Sequence, residues 1–239
     1  MKDYLLFVDT EATGLPKNWK LPYSQTDDWP SAVQISWVVF TAGGREVKHE
    51  SFYIGNQDIT ISPSATRVHG ITRQFLNLHG KERRKILKKL STDIAKFKPL
   101  IVGHFVELDY HILGADFFRS NLPNPLRNAS SFCTMPATAH LVSNPSVSYL
   151  RLGELYTYLF NKKLENAHNA LADAKATAEC FFELRKRGEI TEEKIIDQQK
   201  NRQSARPRPS TFDKVIPVFI IFLLILLIAF IYGQTIFDS

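Results

Sequence analysis

The stretch "YLLFVDTEATG", residues 4–14, fixes how the rest of the chain is read. Tyr4 to Val8 form a short continuous apolar run, the pattern of a strand buried on both faces. Side chains two apart along a strand share a face. Asp9 and Glu11 therefore project side by side at the end of that strand, close to a core. Two carboxylates so placed repel each other and lose hydration, which is unfavourable unless something positive lies between them. A divalent cation is one solution, and a solvated strand end with two surface acids is the plain alternative. Thr13-Gly14 then breaks the strand and opens a concave edge.

Working outward, residues 32–40 ("AVQISWVVF") read as a second strand and the more alternating 46–54 ("EVKHESFYI") as an edge-like third, with Gly43-Gly44 turning the hairpin between them. Residues 17–30, "KNWKLPYSQTDDWP", form a polar and aromatic loop beside the acidic pair. From Lys81 to Phe97 the period is helical, with Ile86, Leu87, Leu90, Ile94 and Phe97 on one face and a run of lysines and arginines on the rest. That basic run reads as a solvated helix face, with a phosphate or lipid contact as the alternative. Residues 99–104 predict a fourth strand, 107–119 a helix, 150–160 a short apolar segment, and a last helix starts near Ala170 and stops at Gly188. Strands first, then strand and helix in alternation, predict a mixed-sheet α/β domain.

The 239 residues allow one compact domain with appendages, and 44% hydrophobic with 23% charged residues is a folded composition. Cys133 and Cys180 supply neither a disulfide framework nor a CxxC metal motif, which suits a reducing compartment. Residues 215–232, "VIPVFIIFLLILLIAFIY", are uncharged and apolar over 18 positions, long enough for a transmembrane helix. Six basic residues against two acids in 194–214 precede that run, and only Asp238 follows it. The positive-inside rule then expects a single-pass membrane protein with its large N-terminal domain in the cytoplasm. The expected organisation is a domain over 1–190, a basic proline-containing linker over 191–214, the transmembrane helix over 215–232 and a short tail over 233–239. Much of the net charge of +6 comes from the linker, so it is weak support for a nucleic-acid partner.

Two further carboxylates come from distant segments. Asp109 lies in "GHFVELDYHIL" (103–113), early in a helix after a strand, and Asp173 lies in "HNALADAKATAECFFEL" (168–184). Asp9, Glu11, Asp109 and Asp173 together suit two hard cations, which prefer oxygen ligands and serve phosphodiester chemistry. His168 adds a base that works near neutral pH. On one ideal helix His168 and Asp173 would lie about 140° apart and could not face one site. Asn169 is a good N-cap, and a helix starting after it leaves His168 in the loop and able to turn inward.

At these residues the chain resembles the DEDDh 3′–5′ exonucleases, the DnaQ-like group of ribonuclease H-like fold, over about residues 3–185. "VDTEATGL" looks like their first motif, "SPSATRVHGIT" like the HGIT segment after it, "IVGHFVELDYHIL" like the second motif and "HNALADAKATA" like the third. The resemblance implies a ribonuclease H-like mixed β-sheet flanked by helices. It implies two divalent cations, Mg2+ or Mn2+, with Asp9, Glu11 and Asp173 as direct metal ligands and Asp109 assisting through water. His168 would deprotonate the attacking water, releasing nucleoside 5′-monophosphates from DNA or RNA 3′ ends. The backbone of Ala12, Thr13 and Gly14 would hold the terminal nucleotide, and Leu15 would wedge against its base. His69 is expected to be structural or weakly linked to substrate, and His104 and His111 structural. Phe105 departs from the pattern, standing where the family usually has Asn; it either fills core or stacks on a base. Trp19, Tyr23 and Trp29 of the long loop form a stacking platform or pin the loop.

The expected function is a membrane-tethered, metal-dependent 3′–5′ exonuclease. The alternative is a non-catalytic nucleic-acid-binding or protein-interaction module of the same fold, and a hydrolase of short oligonucleotides is a rival within the class. Expected partners are nucleic-acid 3′ ends and a membrane through 215–232, with a homodimer left open.

Overall fold

The computed structural model describes residues 2–55 and 59–205, the last four by backbone only. The chain divides into two units, residues 1–199 and 200–239, and the sheet and the site lie in the first. The apolar run 215–232 and the tail 233–239 lie outside the described residues. Among the described residues no helix is long and apolar enough to cross a membrane.

Among the described residues six strands form one sheet: β1 (Tyr4–Ala12), β2 (Ala32–Thr41), β3 (Glu46–Gly55), β4 (Lys81–Glu82), β5 (Leu100–Gly103) and β6 (Ser131–Cys133). Their spatial order is β4-β3-β2-β1-β5-β6. β2 runs antiparallel to β1 and β3, whereas β5 runs parallel to both β1 and β6. The sheet is therefore mixed, as the order of strand and helix signals required. The helices are α1 (Pro63–His69), α2 (Arg73–His79), α3 (Arg83–Phe97), α4 (Val106–Arg119), α5 (Thr134–Ala137), α6 (Leu152–Phe160), α7 (Ala170–Lys186) and α8 (Glu192–Ala205).

β1 is central and covered on both faces, which is why its first half is an unbroken apolar run. Leu6 and Val8 join Ile35, Trp37 and Val39 of β2 against α3 and α4. Leu5 and Phe7 join Leu100, Val102 and Phe132 against α6 and α7. These four β1 side chains are 0–2% exposed, and each such burial is worth roughly 1.5–3 kcal/mol. On the basic helix Ile86, Leu87, Leu90 and Ile94 are buried as expected, Phe97 is half-buried, and Asp93 is also buried, accepting from Trp37 Nε1 and Lys48 Nζ at 2.8 Å each. Cys180 is buried in the second core.

Three elements differ from the sequence expectation. The strand expected over residues 3–9 runs on to Ala12, past both carboxylates, and ends at an irregularity in its pairing with β2 between Glu11 and Ala12. Residues 63–79 hold two short helices capped by Ser62 and Thr72, which accept from Ala65 and Phe75 amides. The stretch expected as a linker from residue 191 is helical over Glu192–Ala205. Ile195 within it and Ile190 just before it are buried. The Gln198 side-chain amide also both donates to and accepts from the Cys133 backbone, at 2.9 Å each way, so this segment caps the edge strand β6.

Candidate active site

The site forms where β1, the start of α4 and the start of α7 converge. Asp9 and Glu11 lie on the face of β1 that packs against α7, in register with Ser36 and Gln34 of β2. Thr10, between them, points to the opposite face, and its hydroxyl donates to Asp109 Oδ1 at 2.8 Å. This bond ties the first strand to α4, in whose first turn Asp109 is buried.

α7 begins after Asn169, whose side chain accepts from the Leu171 and Ala172 amides. His168 is thereby left outside the helix, in an exposed loop, as the spacing to Asp173 demanded. Its φ of 67° is left-handed, an uncommon conformation for a residue with a Cβ. The His168 N–H donates to Asp173 Oδ2 at 2.9 Å and holds that geometry. The ligand atoms of Glu11, His168 and Asp173 all lie within 4.8 Å of one another.

The electrostatics show what such a cluster lacks. Burial raises Asp9 well above the usual carboxylate range, and the charges of Asp109, Asp173 and Glu11 push it further. Burial, with Asp173 and Asp109, pushes Glu11 up to about 8. Asp109 is pushed up to about 7, chiefly by burial, against the opposing Thr10 hydrogen bonds. Burial also raises Asp173, opposed by the His168 N–H and the nearby His168 side chain. The mutual effects of the four carboxylates place them in one electrostatic field, centred on an excess of negative charge. Asp173 Oδ1 is buried and, among the described residues, has no hydrogen-bond partner, and a buried acceptor left unmatched is costly. A divalent cation fits on both counts, because it neutralises the cluster and supplies a partner for that oxygen.

The turn expected to hold a nucleotide is firmly placed. The Thr13 amide donates to Ser31 O at 2.9 Å, its carbonyl accepts from Ser62 N at 2.9 Å, and its hydroxyl accepts from Ser31 N at 3.0 Å. Leu15, just beyond, is 72% exposed, as a residue offered to a ligand would be. His69 supports this turn. Its Nδ1 accepts from the Ile71 amide at 3.0 Å, so its Nε2 carries the proton and donates to Ala12 O at 3.1 Å. Burial lowers the His69 pKa, which keeps that neutral form. His104 is structural, bonded to Thr134 Oγ1 and Leu150 O at 2.9 Å each, and His111 pairs with the Tyr23 hydroxyl at 3.1 Å.

Gln34 is a site-supporting residue that sequence reasoning missed. It is 1% exposed, its Oε1 accepts from the Ala170 amide at 3.1 Å, and its Nε2 donates to Ser51 Oγ at 3.2 Å. It thus tethers the first turn of α7 to the sheet beside Glu11. The signal was a polar pair, Gln34 and Ser36, on one face of an otherwise apolar strand. Two cavities open at His168: one of about 490 Å³ with Gln34, Tyr53 and His69, and a more apolar one of about 850 Å³ with Val147, Leu150, Tyr158 and Asp173.

A family profile for the exonucleases (RNase T) matches residues 6–181. No curated protein matches the chain. Solved structures of E. coli exonuclease I are similar in fold. The complex with a dT13 oligonucleotide is 20% identical with a TM-score of 0.63, over 77% of this chain and 41% of that one. The zinc-bound complex with single-stranded DNA is 19% identical with a TM-score of 0.65, over 82% and 42%. The dA16 complex is 19% identical with a TM-score of 0.64, over 82% and 43%. This chain thus spans about two fifths of the length of those proteins. With the profile running from β1 through most of α7, and so across all four carboxylates and His168, the chain belongs to the exonuclease (RNase T) family.

Proposed function

We propose that the protein is a metal-dependent 3′–5′ exonuclease that removes nucleoside 5′-monophosphates from nucleic-acid 3′ ends. The observation that carries this reading is the convergence of Asp9, Glu11, Asp109, Asp173 and His168 on one buried acidic site edged by an exposed imidazole. Two divalent cations, Mg2+ or Mn2+, held by the four carboxylates would polarise the phosphodiester and stabilise charge on the attacking and leaving oxygens. The chain's own groups do the rest. An imidazole nitrogen of His168 takes a proton from the attacking water, and its exposed loop lets that proton pass to solvent. The Asp173 carboxylate fixes the His168 backbone, and Thr10 fixes Asp109. The Ala12–Gly14 backbone holds the terminal nucleotide and Leu15 lies against its base. Binding of dT13 and dA16 oligonucleotides by exonuclease I supports a nucleic-acid substrate for the shared fold. We extend the reading to a membrane tether at residues 215–232 with the catalytic domain in the cytoplasm, supported by that uncharged apolar run and the basic segment before it.

The test is to incubate the purified full chain with 5′-labelled single-stranded DNA, single-stranded RNA and 3′-mismatched duplex, with Mg2+, Mn2+ or EDTA. Ladders that shorten from the 3′ end only with metal, and vanish in Asp173→Ala, support the enzyme. Folded protein that binds these nucleic acids but cleaves none of them would instead establish the binding module.

A further inference from the structure

The long loop between β1 and β2 is fastened along α4. The Lys17 amide donates to Asp28 O at 3.1 Å. The Arg119 guanidinium donates to Thr26 O at 2.8 Å, to Pro30 O at 3.0 Å and to Trp29 O. Trp29 is stacked on His111, with centroids 5.0 Å apart and planes 10° from parallel. Tyr23 lies so close to α4 that a Cβ on Gly114 would sit 2.5 Å from its hydroxyl oxygen. Trp29 and Tyr23 thus pin the loop. Trp19 does something else: it is 39% exposed, with its ring edge-on to His111 at 5.5 Å and 5.9 Å from the ring of Phe105.

Phe105 makes this contact from an unfavourable backbone. It precedes α4 with φ 67° and ψ 40° and its side chain provides no cap hydrogen bond. Asn tolerates both the left-handed conformation and the capping role far better than an aromatic residue does. Nor does Phe105 contribute to any of the three apolar clusters, so core filling does not explain it. Strained residues of this kind cluster at functional sites, and this one lies four residues before Asp109. A half-exposed indole on a fastened loop, tilted 45° from a phenyl ring that lies four residues before Asp109, offers a surface for flat apolar rings.

We propose that Trp19 and Phe105 form a stacking platform for an unpaired base of the nucleic-acid strand, and so select single-stranded over paired 3′ ends. This rests on the exonuclease reading. Aromatic side chains stack any base, but only a base free of its duplex neighbours offers an open face.

Intrinsic fluorescence isolates the platform, because the other two tryptophans, Trp29 and Trp37, are 3% and 0% exposed. The full-length Asp173→Asn chain is titrated with a dT oligonucleotide and with a blunt duplex of the same length. Saturable quenching by the single strand is expected at roughly 10-fold lower concentration than by duplex. On the otherwise wild-type chain, Trp19→Ala raises KM for single strands roughly 10-fold and leaves kcat little changed. Phe105→Asn weakens binding while raising the melting temperature, since it relieves strain and restores a cap. Equal binding of single strand and duplex, or an unchanged KM in a folded Trp19→Ala chain, overturns the platform. If the wild type cleaves no nucleic acid, the exonuclease reading fails. Quenching by single strands then still upholds the platform.

Discussion

Without bound cation, the acidic site makes the fold sensitive to mildly alkaline pH, and Glu11→Gln removes Glu11's share of that sensitivity, while the raised Asp9, Asp109 and Asp173 keep theirs. Glu11 is pushed up to about 8 in the folded chain from an ordinary value of 4.5. The folded state therefore keeps a proton that the unfolded state has released. Its contribution is fully present below the unfolded value and is lost as pH rises through about 8. Integrated from about pH 7 to about pH 8.5, Glu11 alone removes roughly 1 kcal/mol. For a chain of this size that is a fall of roughly 2–4 °C in Tm. His69 and His104, both held low chiefly by burial, oppose the fall only slightly near pH 7, and since both remain in Glu11→Gln the comparison cancels them. Burial raises both thiols, Cys180 to about 12, so their loss begins near the top of the range; since both remain in Glu11→Gln, subtraction cancels them. The assay is calorimetric melting of both proteins in EDTA across the range, repeated with Mg2+ at about 100-fold over its Kd, which adds roughly 2.7 kcal/mol. The reasoning is refuted if wild-type Tm in EDTA stays flat, if Glu11→Gln falls as steeply, or if Mg2+ leaves the wild type unmoved at the alkaline end.

Three further outcomes are expected. His168→Ala should lower kcat roughly 10²–10⁴-fold with little change in Tm, because the side chain is exposed; single-turnover cleavage checks this, and a smaller loss means another group takes the proton. Gln34→Leu leaves the Ala170 amide unpaired and should cost roughly 1–3 kcal/mol together with a fall in kcat, whereas Gln34→Glu, which keeps the acceptor, should recover more activity than Leu; melting and kinetics side by side decide it. Deleting residues 215–239 should move the protein from the membrane to the soluble fraction with its nuclease activity intact, and retention on vesicles after deletion would refute the tether.

Much of the fold was written locally. Alternation and apolar runs announced β1, β2 and β3, the amphipathic stripe announced α3, and Asn169 announced both the start of α7 and the release of His168 from it. These features depend on neighbours within a turn or two, and the sequence displays such neighbours directly. Ile190 and Ile195, by contrast, give too short an apolar signal to reveal α8, whose docking depends on the second core and on an edge strand 65 residues earlier. The site divides in the same way. Its carboxylates and imidazole were legible from residue type, from strand period at Asp9 and Glu11, from the Asn169 cap at His168, and from the resemblance that the motifs around Asp109 and Asp173 carry. What supports them was not: Thr10 reaches Asp109 across 99 residues, His69 reaches Ala12 across 57, and Gln34 reaches Ala170 across 136. Phe105 shows the limit most clearly. Its identity was visible in the chain, but whether it filled core or faced a ring was set by how a loop fastened along α4 brings Trp19 against it. The sequence by itself determined which chemistry is present, because residue type and local period suffice for that. Only the tertiary structure decided how that chemistry is held, because strand register and loop anchoring bring together groups with no local signal of each other.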